Sequence, residues 1–148
     1  MTQEISALGL DIGRKRIGVA GCDRLGLVAS GLMTIYRQSF HHVVAELAPL
    51  VADRQVEVLV VGLPLTMAGE EGAQAKQVRR TATGLSKVLE RPVVYVDERF
   101  TSLEAEDLIR AQGGSARDDK GLVDRKAAAL ILQRWLDERR RTEQDGIF

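Results

Sequence analysis

Residues 5–22 read ISALGLDIGRKRIGVAGC, two short apolar runs separated by the polar turn Gly13-Arg14-Lys15. Each run has the length and apolar content of a buried strand. Residues 27–36 form a third strand-like run after another turn signal at 23–26. Because these turns are too short for a crossover, the sequence predicts an antiparallel meander of three strands.

Beyond residue 36, helical and strand patterns alternate. Apolar residues at helical spacing begin after Ser39, and Pro49 predicts a kink or break in that helix. We expect strands at 56–61 and 93–96, and helices over 71–90, from 101 to about 113, and from 122 to about 140. The order βββαβαβαα predicts an α/β fold with one mixed sheet and helices on both faces.

Composition excludes several classes of protein. The chain has 148 residues and a formal net charge of zero, which excludes a general polycation that coats nucleic acid. We expect one domain over residues 1–141 and a flexible tail over 142–148. The single Cys22 excludes an intramolecular disulfide and a cysteine-rich zinc site. No signal peptide or membrane span is visible, so we expect a cytoplasmic protein without membrane contact.

Three acidic residues from distant segments are candidates for chemistry. Asp11 ends the first strand, and Glu98 follows the fifth, so both belong at the edge where the carboxyl ends of parallel strands meet. Asp97 and Glu98 should point to opposite faces, so only one of them should meet Asp11. Asp124 shares a helix face with small apolar residues, where a carboxylate needs a partner.

Each acid also has a purely structural interpretation. Asp11 could cap its own turn, and Glu98 could form a surface ion pair with Arg99. Asp124 could interact with the helix dipole, although Asp118 and Asp119 are better placed for that role. As a set, however, three carboxylates offer the oxygen ligands that Mg²⁺ or Mn²⁺ prefers, and two such ions can support phosphodiester hydrolysis.

Basic residues flank every candidate acid, as a protein that binds a phosphate backbone requires. They are Arg14, Lys15 and Arg16 beside Asp11, Arg99 beside Glu98, and Lys120 near Asp124. The bases between Lys76 and Lys87 are better interpreted as a solvated helix face. The adjacent His41 and His42 are interpreted as solvent-exposed.

Four segments together resemble the YqgF family, also called RuvX. They are DIGRKRIGVA (11–20), VGLPL (61–65), DERFTS (97–102) and KGLVD (120–124), which is followed by Ala127-Ala128 and Ile131-Leu132. The resemblance spans nearly the whole chain. Thr66 and Ala68 depart from the family pattern, which leaves the role of the Leu63–Gly69 loop open.

The resemblance implies a ribonuclease H-like fold with strand order 3-2-1-4-5 and Asp11 on the central strand. It implies a metal-dependent nuclease with Asp11, Glu98 and Asp124 as catalytic metal ligands. Family members are described both as pre-16S rRNA nucleases, acting in ribosome biogenesis, and as Holliday junction resolvases. We therefore expect a nucleic-acid partner, with RNA favoured over a DNA junction, and a monomer or homodimer.

Arg99 and Thr101 should position substrate and not bind metal, since arginine has no acceptor atom. Phe100 is the aromatic residue best placed to touch a base.

One alternative is an ATP-binding fold of the actin, Hsp70 and sugar-kinase kind, but such proteins need two domains. Another is a non-catalytic module that binds RNA or a transcription complex.

Overall fold

A computed structural model describes residues 4–99, 101–114 and 119–145. Its sheet contains five strands, in the order β3-β2-β1-β4-β5. They are β1 (Ala7–Ile12), β2 (Arg16–Cys22), β3 (Ala29–Tyr36), β4 (Val58–Leu63) and β5 (Val93–Asp97). The first three pair antiparallel, and β1, β4 and β5 pair parallel. The predicted meander, strand order and central position of Asp11 are confirmed.

Four helices of the described residues cover the sheet, and the first and the last of them differ most from the expectation. They are α1 (Phe40–Asp53), α2 (Ala73–Leu89), α3 (Thr101–Ala111) and α4 (Lys120–Asp145). The first helix begins after Ser39, whose Oγ accepts the backbone N–H of His42 at 3.0 Å. It continues through Pro49, so the expected break is wrong. Pro49 lies on the exposed side, where water can satisfy the carbonyl that loses its helical partner.

The fourth helix extends through Asp145, so residues 142–145 are helical and the expected end near residue 140 is too early. Ion pairs one turn apart support this extension. Arg139 lies 3.2 Å from Glu143, and Arg140 lies 2.5 Å from Asp137. The last three residues of the expected tail, 146–148, lie outside the described residues. Within the described part of the chain, no helix combines the length and the apolar character that a membrane crossing needs.

The alternation of β1 gives the two faces of the sheet different roles. Leu8, Leu10 and Ile12 point to the core beneath α1 and α2. Ala7 belongs to the second core, beneath α4, and Gly9 lies against that helix. Asp11 continues this second set, so it lies at the carboxyl end of the central strand on the α4 face.

Glycines in the sheet bring α4 unusually close to it. A Cβ on Gly18 would lie 2.0 Å from the Asp124 carbonyl oxygen, and one on Gly9 would lie 2.7 Å from that of Ala128. Gly18 is also the cross-strand partner of Asp11. The close approach therefore sets the first turns of α4, including Asp124, beside Asp11.

Candidate active site

The centre of the site is a pair of carboxyl groups on Asp11 and Glu98, which lie within hydrogen-bonding reach of one another. The backbone N–H of Glu98 donates to the Leu63 carbonyl at 3.2 Å, which fixes the residue just beyond β5. Its side chain lies over Gly62, where an added Cβ would be 2.9 Å from Oε2. Gly62 thus makes the space that Glu98 needs to reach Asp11.

Burial and mutual repulsion make this pair hold a proton unusually tightly. Burial is the main cause that raises the pKa of Asp11 to about 6, and the Asp124 charge adds to it; the hydrogen bond with Glu98 and the charge of Arg16 oppose it. Burial, followed by the charge of Asp11, raises the pKa of Glu98 to about 9. Two buried carboxyls that cannot both ionise freely are a site that a cation would stabilise.

Asp97, the neighbour of Glu98, belongs to a different interaction. Its Oδ1 accepts the backbone N–H of Arg99 at 3.0 Å, and its Oδ2 accepts Arg99 Nε at 2.9 Å. The hydrogen bond from the Arg99 side chain lowers the pKa of Asp97. As strand alternation predicted, only one of the two neighbours, Glu98, meets Asp11.

Asp124 lies near the pair but is held by a base. Arg16 Nε donates to Asp124 Oδ2 at 2.6 Å, and the Asp124 side chain is only 16% exposed. Among residues 4–99, 101–114 and 119–145, no three His, Cys, Asp or Glu side chains are close enough to hold a metal ion together. The structure therefore unites two of the three expected ligands and turns the third toward Arg16, a pairing that relieves carboxylate repulsion.

The donor set nevertheless fits a hard divalent cation. Asp11 and Glu98 offer carboxylate oxygens with raised pKa values, and Asp124 is close enough for its charge to act on Asp11. The helix-dipole alternative for Asp124 is disfavoured, because Asp124 is the fifth residue of α4 and lies beyond its first turn, where Asp119 Oδ1 accepts the Leu122 N–H at 2.9 Å. Asp118 lies outside the described residues. Asp11, Glu98 and Asp124 would be the residues that hold Mg²⁺ or Mn²⁺.

The expected basic residues differ in how they are presented. Arg14, Lys15 and Lys120 are exposed and free to meet a ligand, whereas Arg16 is half-buried against Asp124. Arg99 is held by Asp97 and lies 3.5 Å from the Met67 carbonyl, in the Leu63–Gly69 loop.

Thr101 is buried, with only 1% of its surface exposed. Its backbone N–H donates to the Glu98 carbonyl at 2.9 Å, and no described group bonds its Oγ1. This placement favours a role in fixing the turn after Glu98 over direct contact with a ligand. Phe100, the expected base contact, lies outside the described residues. His41 is exposed as expected, and His42 is half-buried, with Nε2 3.5 Å from Glu46.

Sequence reasoning missed the glycines that shape the site. Gly18 admits the Asp124 backbone, and Gly62 admits the Glu98 carboxyl. The signal that could have found them is their position: each lies on a strand next to β1, and Gly18 is directly opposite Asp11. A small residue beside a buried acid indicates that another group must fit there.

Comparison with known proteins relates this chain to one family. The model of the RuvX family, described as Holliday junction resolvase, matches residues 5–138. A protein of Synechococcus elongatus named "Putative pre-16S rRNA nuclease" is 59% identical over 141 residues, 95% of each chain. A protein of the same name from Trichormus variabilis is 56% identical over 147 residues, covering 99% of this chain and 97% of that one.

Solved structures show the same fold at low sequence identity. Thermus thermophilus RuvC in complex with a Holliday junction substrate superposes with a TM-score of 0.60 at 16% identity, over 93% of this chain and 97% of that one. The fowlpox virus resolvase bound to Holliday junction DNA gives 0.57 at 10% identity, over 91% and 99%. RuvC has a ribonuclease H-like fold, so the expected fold class is confirmed.

Proposed function

This chain belongs to the RuvX family, and we propose that it is a divalent-metal-dependent nuclease that processes the 5′ end of pre-16S rRNA during ribosome biogenesis. Membership of this family makes it a hydrolase that acts on ester bonds of nucleic acid. The observation that carries the proposal is the buried pair of Asp11 and Glu98 at one end of the sheet. The high identity to relatives named for pre-16S rRNA supports the choice of substrate.

We assign Asp11, Glu98 and Asp124 as catalytic residues and metal ligands. Nucleases of this kind depend on a divalent cation, and we propose Mg²⁺ or Mn²⁺, with one or two ions. A cation held by these residues would supply Lewis acidity at the scissile phosphate and would help to activate the attacking water. Asp11 and Glu98 would give up their shared proton when a cation binds, because its positive charge would stabilise the ionised carboxylates against the burial and repulsion that raise their pKa values.

Arg16 connects substrate to the third acid in this proposal. A phosphate group competes for the Arg16 guanidinium, because arginine binds phosphate through parallel hydrogen bonds. When Arg16 turns to the phosphate, Asp124 is released toward Asp11 and Glu98. The 2.6 Å ion pair of the free protein would thus give way to a complete ligand set only when substrate is present.

The exposed bases around the carboxyl pair bind the phosphate backbone in this proposal. Arg14, Lys15, Lys120 and Arg99 contact phosphates that flank the scissile bond. Thr101 contributes to substrate positioning through its bond to the Glu98 carbonyl, which fixes the turn between Glu98 and Arg99. The full substrate-binding set therefore comprises Arg14, Lys15, Arg16, Arg99, Thr101 and Lys120.

A panel of labelled substrates tests the function. A pre-16S rRNA 5′ fragment, unrelated single-stranded RNA, duplex RNA and a four-way DNA junction are incubated with Mg²⁺ or Mn²⁺. Asp11→Asn, prepared in the same way, controls for contaminating nucleases. We expect wild type to cleave the pre-16S fragment and the variant to leave it intact. No wild-type cleavage of any substrate would contradict nuclease activity and favour the non-catalytic binding module.

The second candidate function is Holliday junction resolution. The matching family is described by that activity, and the fold is shared with RuvC and the fowlpox virus resolvase. Cleavage of the four-way junction at symmetrical positions, with the pre-16S fragment left intact, would select this function over rRNA processing.

A further inference from the structure

A basic cavity of about 470 Å³ lies behind the end of β1, between that strand end, the start of α1 and the middle of α2. It lies on the α1 and α2 side of the sheet, whereas Asp11 and Glu98 lie on the α4 side. Ile12 and Gly13 line the cavity and follow Asp11 directly. Since a strand advances about 3.3 Å per residue, the cavity begins within about 7 Å of the Asp11 backbone.

The charge of this cavity is entirely positive. Arg14, Arg37 and Arg80 line it, and no Asp or Glu does. Within the part of the chain that the structure describes, none of these three arginines forms a salt bridge. The neighbouring Arg79, by contrast, donates to both carboxylate oxygens of Glu71. Three guanidinium groups that line one cavity without a carboxylate are suited to an anion.

Arg37 is oriented for this role by the strand end itself. Its Nη1 donates to the Gly13 carbonyl at 2.6 Å, and its backbone N–H donates to the Lys15 carbonyl at 2.8 Å. These bonds hold Arg37 against the turn that carries Arg14. The guanidinium keeps further N–H groups that are free to donate to a ligand in the cavity.

The remaining wall offers groups that suit a nucleobase. Phe40, the first residue of α1, is 41% exposed and packs over Gly84 of α2, where a Cβ would lie 3.1 Å from its ring. An aromatic ring held in this way can stack on a base. The amides of Gln74 and Gln77, also in the wall, can donate to and accept from base edges.

We propose that the cavity binds one unpaired nucleotide of the substrate strand, with its phosphate on Arg14, Arg37 and Arg80 and its base against Phe40. The inference rests on the proposed function in that the ligand is the nucleic acid that the enzyme cleaves. The proposal adds that the substrate has a single-stranded segment beside the scissile bond. This segment of the nucleic acid enters the cavity where it passes the end of β1 next to Asp11.

Binding of single-stranded RNA without metal tests the proposal separately from cleavage. Fluorescence anisotropy in EDTA follows a labelled RNA of about eight nucleotides at several salt concentrations, a length within the roughly 4–16 nucleotides that an OB fold covers on a single strand. Arg80→Gln should weaken binding about tenfold and reduce the salt slope by about 0.7, because one phosphate contact is lost. Arg80→Lys keeps the positive charge and should therefore retain most of the wild-type salt dependence. A purely structural role of Arg80 would not predict this rescue by lysine.

Phe40→Ala should weaken binding about tenfold with an unchanged salt slope, because the lost contact is stacking. The matched control is Lys87→Gln, which removes a positively charged side chain of α2 that does not line the cavity. This variant should bind RNA like wild type. Wild-type binding by both Arg80→Gln and Phe40→Ala would overturn the proposal, and the proposed function would stand if wild type still cleaved. Competition by a free nucleoside monophosphate as strong as that by unlabelled RNA would also overturn it, in favour of a small-nucleotide site.

Discussion

One strand end carries two opposite chemistries, on the two faces of the sheet. On the α4 face, Asp11 and Glu98 form a buried carboxyl pair. On the α1 and α2 face, Arg14, Arg37 and Arg80 line an open cavity. The carboxyl pair suits a cation, and the arginine-lined cavity suits an anion. Together they suit a nucleic-acid strand whose phosphates meet a metal ion on the α4 face and arginines on the other face.

The two regions also differ in how closely their residues are packed. The carboxyl pair depends on close packing. Gly18 leaves room for the backbone of Asp124, Gly62 leaves room for the carboxyl group of Glu98, and a Cβ at either position would collide with that group. The cavity depends instead on side chains at its rim, among them the exposed Arg14, Arg80 and Phe40. The carboxyl pair is thus largely buried, whereas most of the charged groups of the cavity lie at the surface.

The largest effect should come from removing the acids. Asp11→Asn, Glu98→Gln and Asp124→Asn should each reduce cleavage on the order of a thousandfold, the scale on which loss of a charge-stabilising group in an active site acts. Single-turnover cleavage with Mn²⁺ measures this, and RNA binding in EDTA should stay within a few-fold of wild type. Asp97→Asn should keep much more activity. If it alone abolishes cleavage while Glu98→Gln does not, the assignment of the ligand pair is wrong.

The close packing of α4 against Gly18 predicts that a substitution of this glycine strongly lowers stability. Gly18→Ala places a Cβ about 2.0 Å from the Asp124 carbonyl oxygen, so α4 must shift, at a cost of about 1–3 kcal/mol. Thermal melting should show the loss, and cleavage should fall with it because Asp124 moves. Gly72→Ala is the steric control, since its Cβ would lie 3.6 Å from the Thr66 side chain and its cost is only that of alanine in place of glycine at the N-cap of α2. Equal melting temperatures for the two variants would contradict the close approach.

The buried pair also predicts how metal-free stability depends on pH. The folded-state pKa values of about 6 for Asp11 and about 9 for Glu98 lie above their ordinary values of 3.8 and 4.5. The folded protein therefore binds these protons more tightly than the unfolded chain. The contribution of this pair to stability should therefore be greatest below about pH 4 and decline as pH rises through 6 and toward 9.

Melting temperatures across that range, in EDTA, measure the effect. Glu98→Gln should show a flatter profile and melt higher than wild type above neutral pH, by about 2–4 °C for each kcal/mol recovered. Saturating Mn²⁺ should remove much of the wild-type decline. A wild-type profile that rises through this range, or that matches the variant, would be inconsistent with a strained carboxyl pair.

The smallest effect should come from Arg99, which is part-exposed and paired with Asp97. Arg99→Ala should weaken substrate binding about threefold to tenfold through loss of a charged hydrogen bond to phosphate. Mn²⁺ affinity should be unchanged, because a guanidinium has no atom that can ligate a cation. Loss of Mn²⁺ binding by a folded Arg99→Ala protein would count against this role.

Much of the fold was accessible from sequence because local patterns determined it. The short turns after Asp11 and Cys22 allowed only antiparallel pairing, and the change to helical spacing after Ser39 marked the first helix. Alternation along β5 separated Asp97 from Glu98. The order of the strands came from the family resemblance, and not from these patterns alone.

The remaining features depend on contacts between distant segments. Nothing local to Asp124 showed that Arg16 would hold it, and nothing local to Gly62 showed that Glu98 would fill its space. Arg80 fell within a stretch interpreted as a solvated helix face, yet it lines the cavity with Arg37. Pro49 did not end α1, because tertiary packing of the buried face outweighs one lost hydrogen bond.

Calorimetric titration of Mn²⁺ into metal-free protein tests the central claim most directly, namely that the Asp11–Glu98 pair is a divalent-cation site. Wild type and Asp97→Asn should bind Mn²⁺ with similar affinity and release protons at neutral pH, since the raised pKa of Glu98 leaves it protonated without metal. Asp11→Asn and Glu98→Gln should lose that binding. Retained binding by both variants, or its loss only in Asp97→Asn, would contradict the claim.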